Sequence, residues 1–248
     1  MIRKSFIFLD RIGQRSERRI WGQGIDDWDS FLDAGKIKGI SSRKHFFDRQ
    51  IRRTRKELYE SNMSYLKRAL HPSEAWRLYD LFRDEAVFLD IETAHYYGYI
   101  TVIGLYDGYE TKIMIKDINL DRENLRRELE KYNLIITFNG SSFDLPVIER
   151  YFQGVVPDVP HIDLRHVCSR IGLRGGLKQV EKDLGIKRLP DLEHVTGEDA
   201  AELWRTFRAT GDDYYLDLLV KYNEEDIINL KPIADHAVRE LWKSIRSD

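Results

Sequence analysis

Residues 86–92 read AVFLDIE, five apolar residues and two acids that stand two positions apart. A short apolar run of this kind is typical of a strand buried on both faces of a sheet. Because side chains alternate along a strand, Asp90 and Glu92 are expected to share one face at its end. An acid that ends a buried strand has little structural purpose, which favours a functional site over simple solvation of the strand end.

Four more strands are predicted around this segment. Asp107-Gly108 is typical of a hairpin turn between two of them, and helices are expected from about Asp121, Phe143 and Gly176. Three antiparallel strands followed by helix, strand, helix and strand predict an α/β fold, with a mixed five-stranded sheet of order 3-2-1-4-5 flanked by helices. The four additional strands are residues 99–105, 111–115, 134–138 and 160–164.

An N-terminal α+β extension, residues 1–83, is expected before a main domain at residues 84–248. Within the extension, residues 5–12 and 17–25 are predicted to pair as a hairpin with polar residues between them. Three helices follow, and their expected N-terminal residues are Asp26 or Asp27, Ser41 or Ser42, and Pro72.

The composition is typical of a globular protein without a membrane span or an internal disulfide. With 42% hydrophobic and 33% charged residues, the chain has enough apolar material for a core. It contains no apolar run of the roughly 18 residues that a membrane span needs. Its one cysteine, Cys168, excludes an internal disulfide and is typical of a reducing cytoplasm. A cytoplasmic protein without a membrane partner is therefore expected.

Charge is unevenly distributed along the chain. Residues 1–82 contain 18 Lys and Arg against 11 Asp and Glu, a net charge of +7, whereas residues 83–248 sum to −9. The basic excess includes the segment 49–56, with Arg52 and Arg53. Two interpretations remain open for this segment: a surface that binds nucleic acid, or a solvated helix face with many cations.

A third acid is expected beside Asp90. Residues 139–144 read NGSSFD, in which a tight Asn-Gly turn follows a predicted strand and Asp144 lies in the first helical turn. If the first and fourth strands are neighbours, Asp144 reaches the carboxyl end of the central strand, where α/β sheets place their sites. The alternative is an ordinary acid that the helix dipole stabilises.

A tyrosine–aspartate pair near the C-terminus supplies a fourth acid. Tyr222 and Asp226 are four residues apart, so they share one face of the expected helix. No other of the 13 tyrosines has an aspartate at this spacing. A tyrosine hydroxyl at such a site could orient a water for attack. The alternative, a solvated acid and a half-buried aromatic, remains open.

Four carboxylates cannot converge in a pocket as bare anions, because mutual repulsion and desolvation oppose it. Divalent cations that prefer oxygen ligands offset both effects. Paired cations on carboxylate oxygens are suited to the cleavage of phosphodiester bonds. The four acids therefore indicate a metal-dependent reaction on a phosphate ester.

The acidic segments resemble the signatures of the DEDD exonuclease superfamily of the ribonuclease H-like fold. Those signatures are D-x-E, N-x(2–3)-[FY]-D and, in the tyrosine or DEDDy subclass, Y-x(3)-D, and all three occur here in order. The arrangement is similar to the proofreading domains of family B polymerases, and the closer likeness is to the YprB-type ribonuclease H-like proteins. That likeness covers about residues 84–240 and includes residues 161–164, 176–181 and 184–188.

The resemblance implies a metal-dependent 3′–5′ exonuclease that hydrolyses single-stranded nucleic acid, DNA rather than RNA, with two Mg²⁺ or Mn²⁺ ions. Tyr222 would position the attacking water. The implied metal ligands are Asp90, Glu92, Asp144 and Asp226. The implied contacts with the terminal nucleotide are Thr93 and Asn139. Phe143 and Tyr96 or Tyr97 would stack on bases, although these aromatic residues could equally belong to the core.

Other interpretations stay open. The histidine subclass has the spacing H-x(4)-D, which His194 and Asp199 meet, although a helix is expected to start between them at Gly197. A second D-x-E triplet, residues 191–193, follows Pro190 in an expected loop. The same site would serve a structure-selective endonuclease, an RNA-processing nuclease or a nucleic-acid-binding module that does not cut. The extension could also join copies of the chain in a homo-oligomer.

Overall fold

A mixed sheet lies at the centre of the computed structural model, which describes residues 1–94, 98–192 and 194–247. Its strands are β1 (Ala86–Thr93), β2 (Ile100–Tyr106), β3 (Thr111–Ile115), β4 (Leu134–Thr137) and β5 (His161–Asp163). β1 pairs antiparallel with β2 and parallel with β4, while β2–β3 is antiparallel and β4–β5 is parallel. The observed order, β3-β2-β1-β4-β5, confirms the order predicted from the sequence.

Helices flank the sheet, and helices joined by turns make up residues 1–83. No helix within the described residues is both long enough and apolar enough to cross a membrane. Short 3₁₀ helices span Ile2–Lys4, Ser41–Arg43, Pro72–Leu78 and Arg83–Glu85. The α-helices are α1 (Gln14–Trp21), α2 (Trp28–Asp33), α3 (Lys44–Tyr59), α4 (Met63–Ala69), α5 (Tyr79–Phe82), α6 (Arg122–Leu129), α7 (Asp144–Tyr151), α8 (Leu164–Arg170), α9 (Leu177–Leu184), α10 (Gly197–Thr210) and α11 (Asp213–Ser247).

The central strand β1 is fully buried in its first half and carries its acids in the second. β4 pairs only with Ala86–Phe88, so the last part of β1 extends beyond its parallel neighbour. Asp90 lies opposite Gly104 of β2, and the register shifts between Glu92 and Thr93. The turn after β4 and the first residue of α7 therefore lie beside the acidic end of β1.

The long helix α11 packs across the sheet and brings its middle turns to the end of β1. It contacts β1, β2 and β3 on the sheet, and α8, α9 and α10 beside it. The approach is close at Gly104, where an added Cβ would lie 2.2 Å from Oδ1 of Asn223. A glycine on β2 thus makes room for the helix face that carries Tyr222 and Asp226.

The predicted N-terminal hairpin is wrong. Residues 17–25 contribute to helix α1, and residues 5–12 form successive tight turns in place of a strand. The cause is the buried carboxylate of Glu17, whose Oε1 accepts the N–H groups of Phe6 at 2.6 Å and Ile7 at 3.1 Å. Backbone N–H groups that would donate to the opposite strand of a hairpin therefore donate to the Glu17 side chain instead.

A buried arginine completes this arrangement. Arg77, from the 3₁₀ helix Pro72–Leu78, is 0% exposed and donates from Nη2 to Glu17 at 2.9 Å and from Nε to Glu74 at 2.7 Å. Its Nη1 donates to the Ser5 hydroxyl at 2.9 Å. The network joins residues that are up to 72 positions apart and fixes the start of the chain to the segment that precedes β1.

Helix capping in the extension agrees with the sequence prediction at one site and departs from it at another. Asp27 caps α2 in a reciprocal capping box, as predicted. The prediction that Ser41 or Ser42 caps α3 is wrong, because Ser41–Arg43 form a 3₁₀ turn and Arg43 takes the N-cap position. The basic helix itself is confirmed, as α3.

The extension and the sheet share buried apolar contacts. Most of their buried apolar side chains belong to one cluster, which runs from Ile2 to Ile245. Trp242 of α11 lies 5.9 Å from Trp21 and 6.2 Å from Trp76, measured between ring centroids. The C-terminal half of α11 therefore packs on the extension, while its N-terminal half packs on the sheet. The boundary between residues 83 and 84 stays a prediction.

Candidate metal centre

Three carboxylates from two distant segments meet at the end of β1. Asp90 and Glu92 lie two positions apart on β1, and Asp226 lies on α11, which packs against this strand. One carboxylate oxygen from each residue lies within 4.8 Å of the others. Alternation along β1 and the crossing of α11 therefore produce an acidic cluster that is positioned to bind a metal ion.

Asp144, the first residue of α7, lies beside this cluster. Its Oδ1 accepts the N–H of Ile91 at 3.2 Å, at a position on β1 that β4 does not pair with. Asp144 is buried and lines the same cleft as the other three acids. The structure thus brings together the four acids that the sequence predicted to converge, and their assignment as ligands stays a prediction.

The acids face a cleft of about 1550 Å³ between the sheet end and α10. Arg165 of α8 and Arg205 of α10 lie in its walls and are the arginines among its lining residues. The cleft thus combines an acidic floor with two cationic positions. Four further residues of the predicted site line it: Thr93, Asn139, Phe143 and Tyr222.

Burial raises the pKa of all four carboxyl groups. For Asp90 and Glu92 the neighbouring carboxylates add to this effect, and each pKa lies well above its ordinary value. Burial raises the pKa of Asp144 to about 7 and that of Asp226 to about 6, the latter against the opposing charge of Arg188. Without a cation, these carboxyl groups bind protons near neutral pH. A set of ligands made only of carboxylates fits a hard divalent ion, which would replace those protons.

These raised pKa values predict that the metal-free protein loses stability as the pH rises. When folding raises the pKa of a carboxyl group, the group stabilises the fold fully at a pH below its pKa in the unfolded chain. This contribution is lost as the pH rises through its pKa in the folded protein. For Asp144 this window runs from about 4 to about 7. In EDTA, thermal unfolding at pH 5, 6, 7 and 8 should therefore show the parent losing stability relative to Asp144→Asn, which has no proton to lose.

Excess Mn²⁺ should reverse this trend, because the ion binds the deprotonated carboxylates. At 100 times its Kd, the stabilisation amounts to about 2.7 kcal/mol. A parent protein that gains stability relative to Asp144→Asn between pH 5 and 7 in EDTA would contradict the repulsive cluster.

Tyr222 lies one turn before Asp226 on α11 and is buried in the wall of the cleft. Burial raises the pKa of its hydroxyl far above the ordinary value, and the charges of Asp226, Glu92 and Asp90 raise it further. The hydroxyl therefore stays protonated over the physiological pH range. It can donate a hydrogen bond to a group that binds in the cleft.

The alternative histidine site is not assembled. His194 and Asp199 are exposed, and neither lines the cleft. The Asp199 carboxylate instead accepts the N–H of Thr196 at 2.8 Å, in the capping box that begins α10. In the second D-x-E triplet, Asp191 is exposed outside the cleft, and Glu193 lies outside the described residues.

Comparison with known families agrees with this geometry. The RNase_H_2 family of the RNase_H superfamily matches residues 87–238, which include all four acids and Tyr222. The chain belongs to the RNase_H superfamily. No curated protein matches its sequence.

Among solved structures, this RNase_H-superfamily chain is similar to the family B DNA polymerase from the hyperthermophilic archaeon Pyrobaculum calidifontis. The sequences are 14% identical, and the TM-score is 0.49. The similarity covers 61% of this chain and 24% of the polymerase. The chain thus spans about a quarter of the length of that polymerase.

The predicted nucleic-acid contacts divide into two groups. Thr93, Asn139 and Phe143 line the cleft, and their contact with nucleic acid stays a prediction. Arg52 and Arg53 are exposed on α3, and no residue before Asp90 lines the cleft. The structure therefore does not bring the basic helix to the acidic cluster. The predicted stacking residues Tyr96 and Tyr97 lie outside the described residues.

Asn223 was not predicted from the sequence of this RNase_H-superfamily member. It is buried, and its Nδ2 donates to Oδ2 of Asp90 at 2.9 Å. Oδ1 of the same side chain lies where a Cβ on Gly104 would clash. The only sequence signal is its position between Tyr222 and Asp226, since its partners are 119 and 133 residues away in the chain.

A second unpredicted residue shapes the turn after β4. Asp163 of β5 accepts the N–H groups of Asn139 at 2.8 Å and Ser141 at 3.1 Å. Asn139 has a positive φ of 70°, a conformation that asparagine tolerates better than most residues. Its side-chain Oδ1 accepts a hydrogen bond from Arg165 at 2.7 Å. The turn thus fixes an arginine at the mouth of the cleft.

Proposed function

We propose that this chain is a metal-dependent 3′–5′ exonuclease of the DEDDy subclass, of the YprB type, that hydrolyses single-stranded nucleic acid, DNA in preference to RNA. One observation carries the proposal. Acids from three separate segments line one cleft together with Tyr222, which lies on the same helix as Asp226. A module that only binds nucleic acid would gain nothing from clustered anions that face a polyanion.

Asp90, Glu92, Asp144 and Asp226 would hold two divalent ions, Mg²⁺ or Mn²⁺. Bound ions of this kind supply Lewis acidity and lower the pKa of water. The four side chains come from β1, α7 and α11, so the packing of three elements fixes their separation before any ion binds.

The Tyr222 hydroxyl stays protonated beside the acids, which suits it to hold a water in line with the phosphorus atom. Hydrogen bonds that align an attacking group raise the rate by correct orientation. The choice of this tyrosine over His194 follows from position, because Tyr222 lines the cleft and His194 does not.

Cations in the cleft walls would hold the polynucleotide backbone. Arg165 is exposed, is oriented by Asn139 and forms no ion pair with any residue in the described part of the chain. Its guanidinium is therefore available to a phosphate. Arg205 pairs with Glu202 at the surface, a contact that costs little to exchange for a phosphate.

A degradation assay tests the proposal. Single-stranded DNA and RNA oligonucleotides, each labelled at the 3′ or the 5′ end, are incubated with Mg²⁺, Mn²⁺ or EDTA. We expect stepwise loss of nucleotides from the 3′ end with either ion, faster on DNA, and no reaction in EDTA. Tyr222→Phe should retain metal binding and lose up to about 100-fold in rate, because only the orienting hydroxyl is removed.

The remaining outcomes separate the alternatives. Internal cuts in structured substrates, with intact single strands, would indicate an endonuclease that uses the same site. Retention of the oligonucleotide without cleavage under every metal condition would indicate a binding module. Hydrolysis that persists in EDTA would contradict a metal-dependent reaction.

A further inference from the structure

Arg188, in the segment after α9, is charged at all accessible pH values, yet its side chain is only 5% exposed. Its Nε and Nη2 donate to Glu181 of α9 at 2.7 and 2.8 Å, and Nη2 also donates to Oδ1 of Asp226. A two-point arginine–carboxylate pair has a fixed planar geometry. The guanidinium is therefore held in one place between α9 and the acidic cluster.

The surroundings of Arg188 are attached to α11 at two further points. Asn229 donates to Oε1 of Glu181 at 3.0 Å. The N–H of Leu189 donates to Oε1 of Glu225 at 2.6 Å. The contact with Asp226 thus belongs to a frame of hydrogen bonds that joins α9 and the following segment to α11.

Charge balance distinguishes two roles for this contact. A lone arginine beside Asp226 would neutralise it and compete with a metal ion. Here Glu181 already balances the charge of Arg188, so the pair is neutral and Asp226 keeps its charge for a cation. The contact occupies Oδ1 and leaves Oδ2, so its effect on Asp226 is to fix the orientation of the carboxylate.

We propose that Arg188 is a positioning residue that holds Asp226 in the orientation required for metal binding. This inference rests on the metal site of the proposed function. Groups that hydrogen-bond a metal ligand raise metal affinity because they restrict the ligand to its productive orientation, and their loss costs 10- to 100-fold in affinity. No part of this role requires Arg188 to contact the nucleic acid.

Titration with Mn²⁺ alone, without nucleic acid, tests the inference, with the free ion measured from its electron paramagnetic resonance signal. The decisive variant is the double substitution Glu181→Gln with Arg188→Met. It removes one charge of each sign, so the net charge near the site is unchanged, and Gln still accepts from Asn229. We expect Mn²⁺ affinity to fall by about 10-fold or more.

The single variant Arg188→Met is expected to change Mn²⁺ affinity in opposite directions if Arg188 acts through its charge or by positioning Asp226. Removal of a cation beside the site would strengthen Mn²⁺ binding if charge alone mattered, whereas the loss of positioning weakens it. Arg188→Lys keeps the charge without the planar fork and should bind Mn²⁺ with an affinity between those of Arg188→Met and the parent. Lys187→Met, which removes an exposed cation at the adjacent position, should leave the affinity unchanged.

The outcomes separate this inference from the function on which it rests. Parental Mn²⁺ affinity in the folded double variant, or tighter binding by Arg188→Met, would overturn the positioning role and leave the metal site intact. A parent protein that binds no Mn²⁺ would overturn the metal site and the positioning role together. Circular dichroism and thermal unfolding in EDTA establish which variants are folded.

Discussion

Asp90→Asn is expected to lower the rate of phosphodiester hydrolysis by about 10³-fold or more. Asp90 contributes to the acidic cluster from the centre of the sheet, and its oxygen atoms lie near those of both Glu92 and Asp226. An amide in its place removes a charge that a divalent ion requires. Such ions stabilise the transition state by several kcal/mol. Each 1.4 kcal/mol of this stabilisation that is lost lowers the rate about tenfold.

The same substitution should not unfold the protein. Asn223 donates to Asp90, and an amide oxygen can accept that hydrogen bond as well. One fewer negative charge among buried acids also reduces repulsion, so in EDTA at pH 8 the unfolding temperature should equal or exceed that of the parent. Single-turnover rates and thermal unfolding, measured on the same preparations, check both expectations.

The chain offers a matched control for this experiment. Asp191→Asn alters the first acid of the second D-x-E triplet, which is exposed and does not line the cleft. It should react at the parental rate. A rate for Asp90→Asn within tenfold of that control would contradict the assignment of Asp90 to the reaction.

Arg77→Met is expected to lower the free energy of unfolding by about 3–5 kcal/mol. The guanidinium is the charged partner of Glu17 and Glu74, all three being buried. Without it, the buried Glu17 carboxylate loses its cationic partner, and the Ser5 hydroxyl loses a donor. Glu74 keeps its ion pair with Arg170 at 3.2 Å. Urea unfolding at neutral pH, monitored by tryptophan fluorescence, measures the change.

Two variants show whether the loss comes from the buried charge. Arg83→Met removes an exposed arginine that pairs with its neighbour Asp84, and should change stability by less than about 0.5 kcal/mol. The double variant Glu17→Gln with Arg77→Met also removes the charge of the acid that lost its cationic partner, so it should be more stable than Arg77→Met alone. A loss below 1 kcal/mol for Arg77→Met would show that water or rearrangement satisfies the acids.

The sheet was predictable from the sequence because its signals are local. The apolar run at residues 86–89 and the Asp107-Gly108 turn each identify one element within a few residues. The order of the strands then follows from the sequence of element types. The hairpin failed for the opposite reason, since Glu17 and Arg77 meet across 60 residues and no local pattern reports the pair.

The candidate site was predictable to a similar extent. The acids follow from strand alternation and helical spacing, which are local properties. Arg188 and Asn223 were missed because their function depends on partners 38 and 133 residues away. The role of the basic helix stays a prediction, because net charge along the chain does not show which surface a helix presents.

Helix α11 carries Asp226 of the acidic cluster and, further along, Trp242, which contacts the aromatic side chains of the extension. Asp226 and Trp242 are 16 residues apart, which is about 24 Å along a helix. Metal–ligand distances tolerate deviations of about 0.2 Å, which over that length corresponds to a tilt of about half a degree. Bending between the two points would concentrate at Pro232, which lacks an N–H. The contacts of Trp242 with Trp21 and Trp76 would therefore help to hold Asp226 at the position that an ion requires.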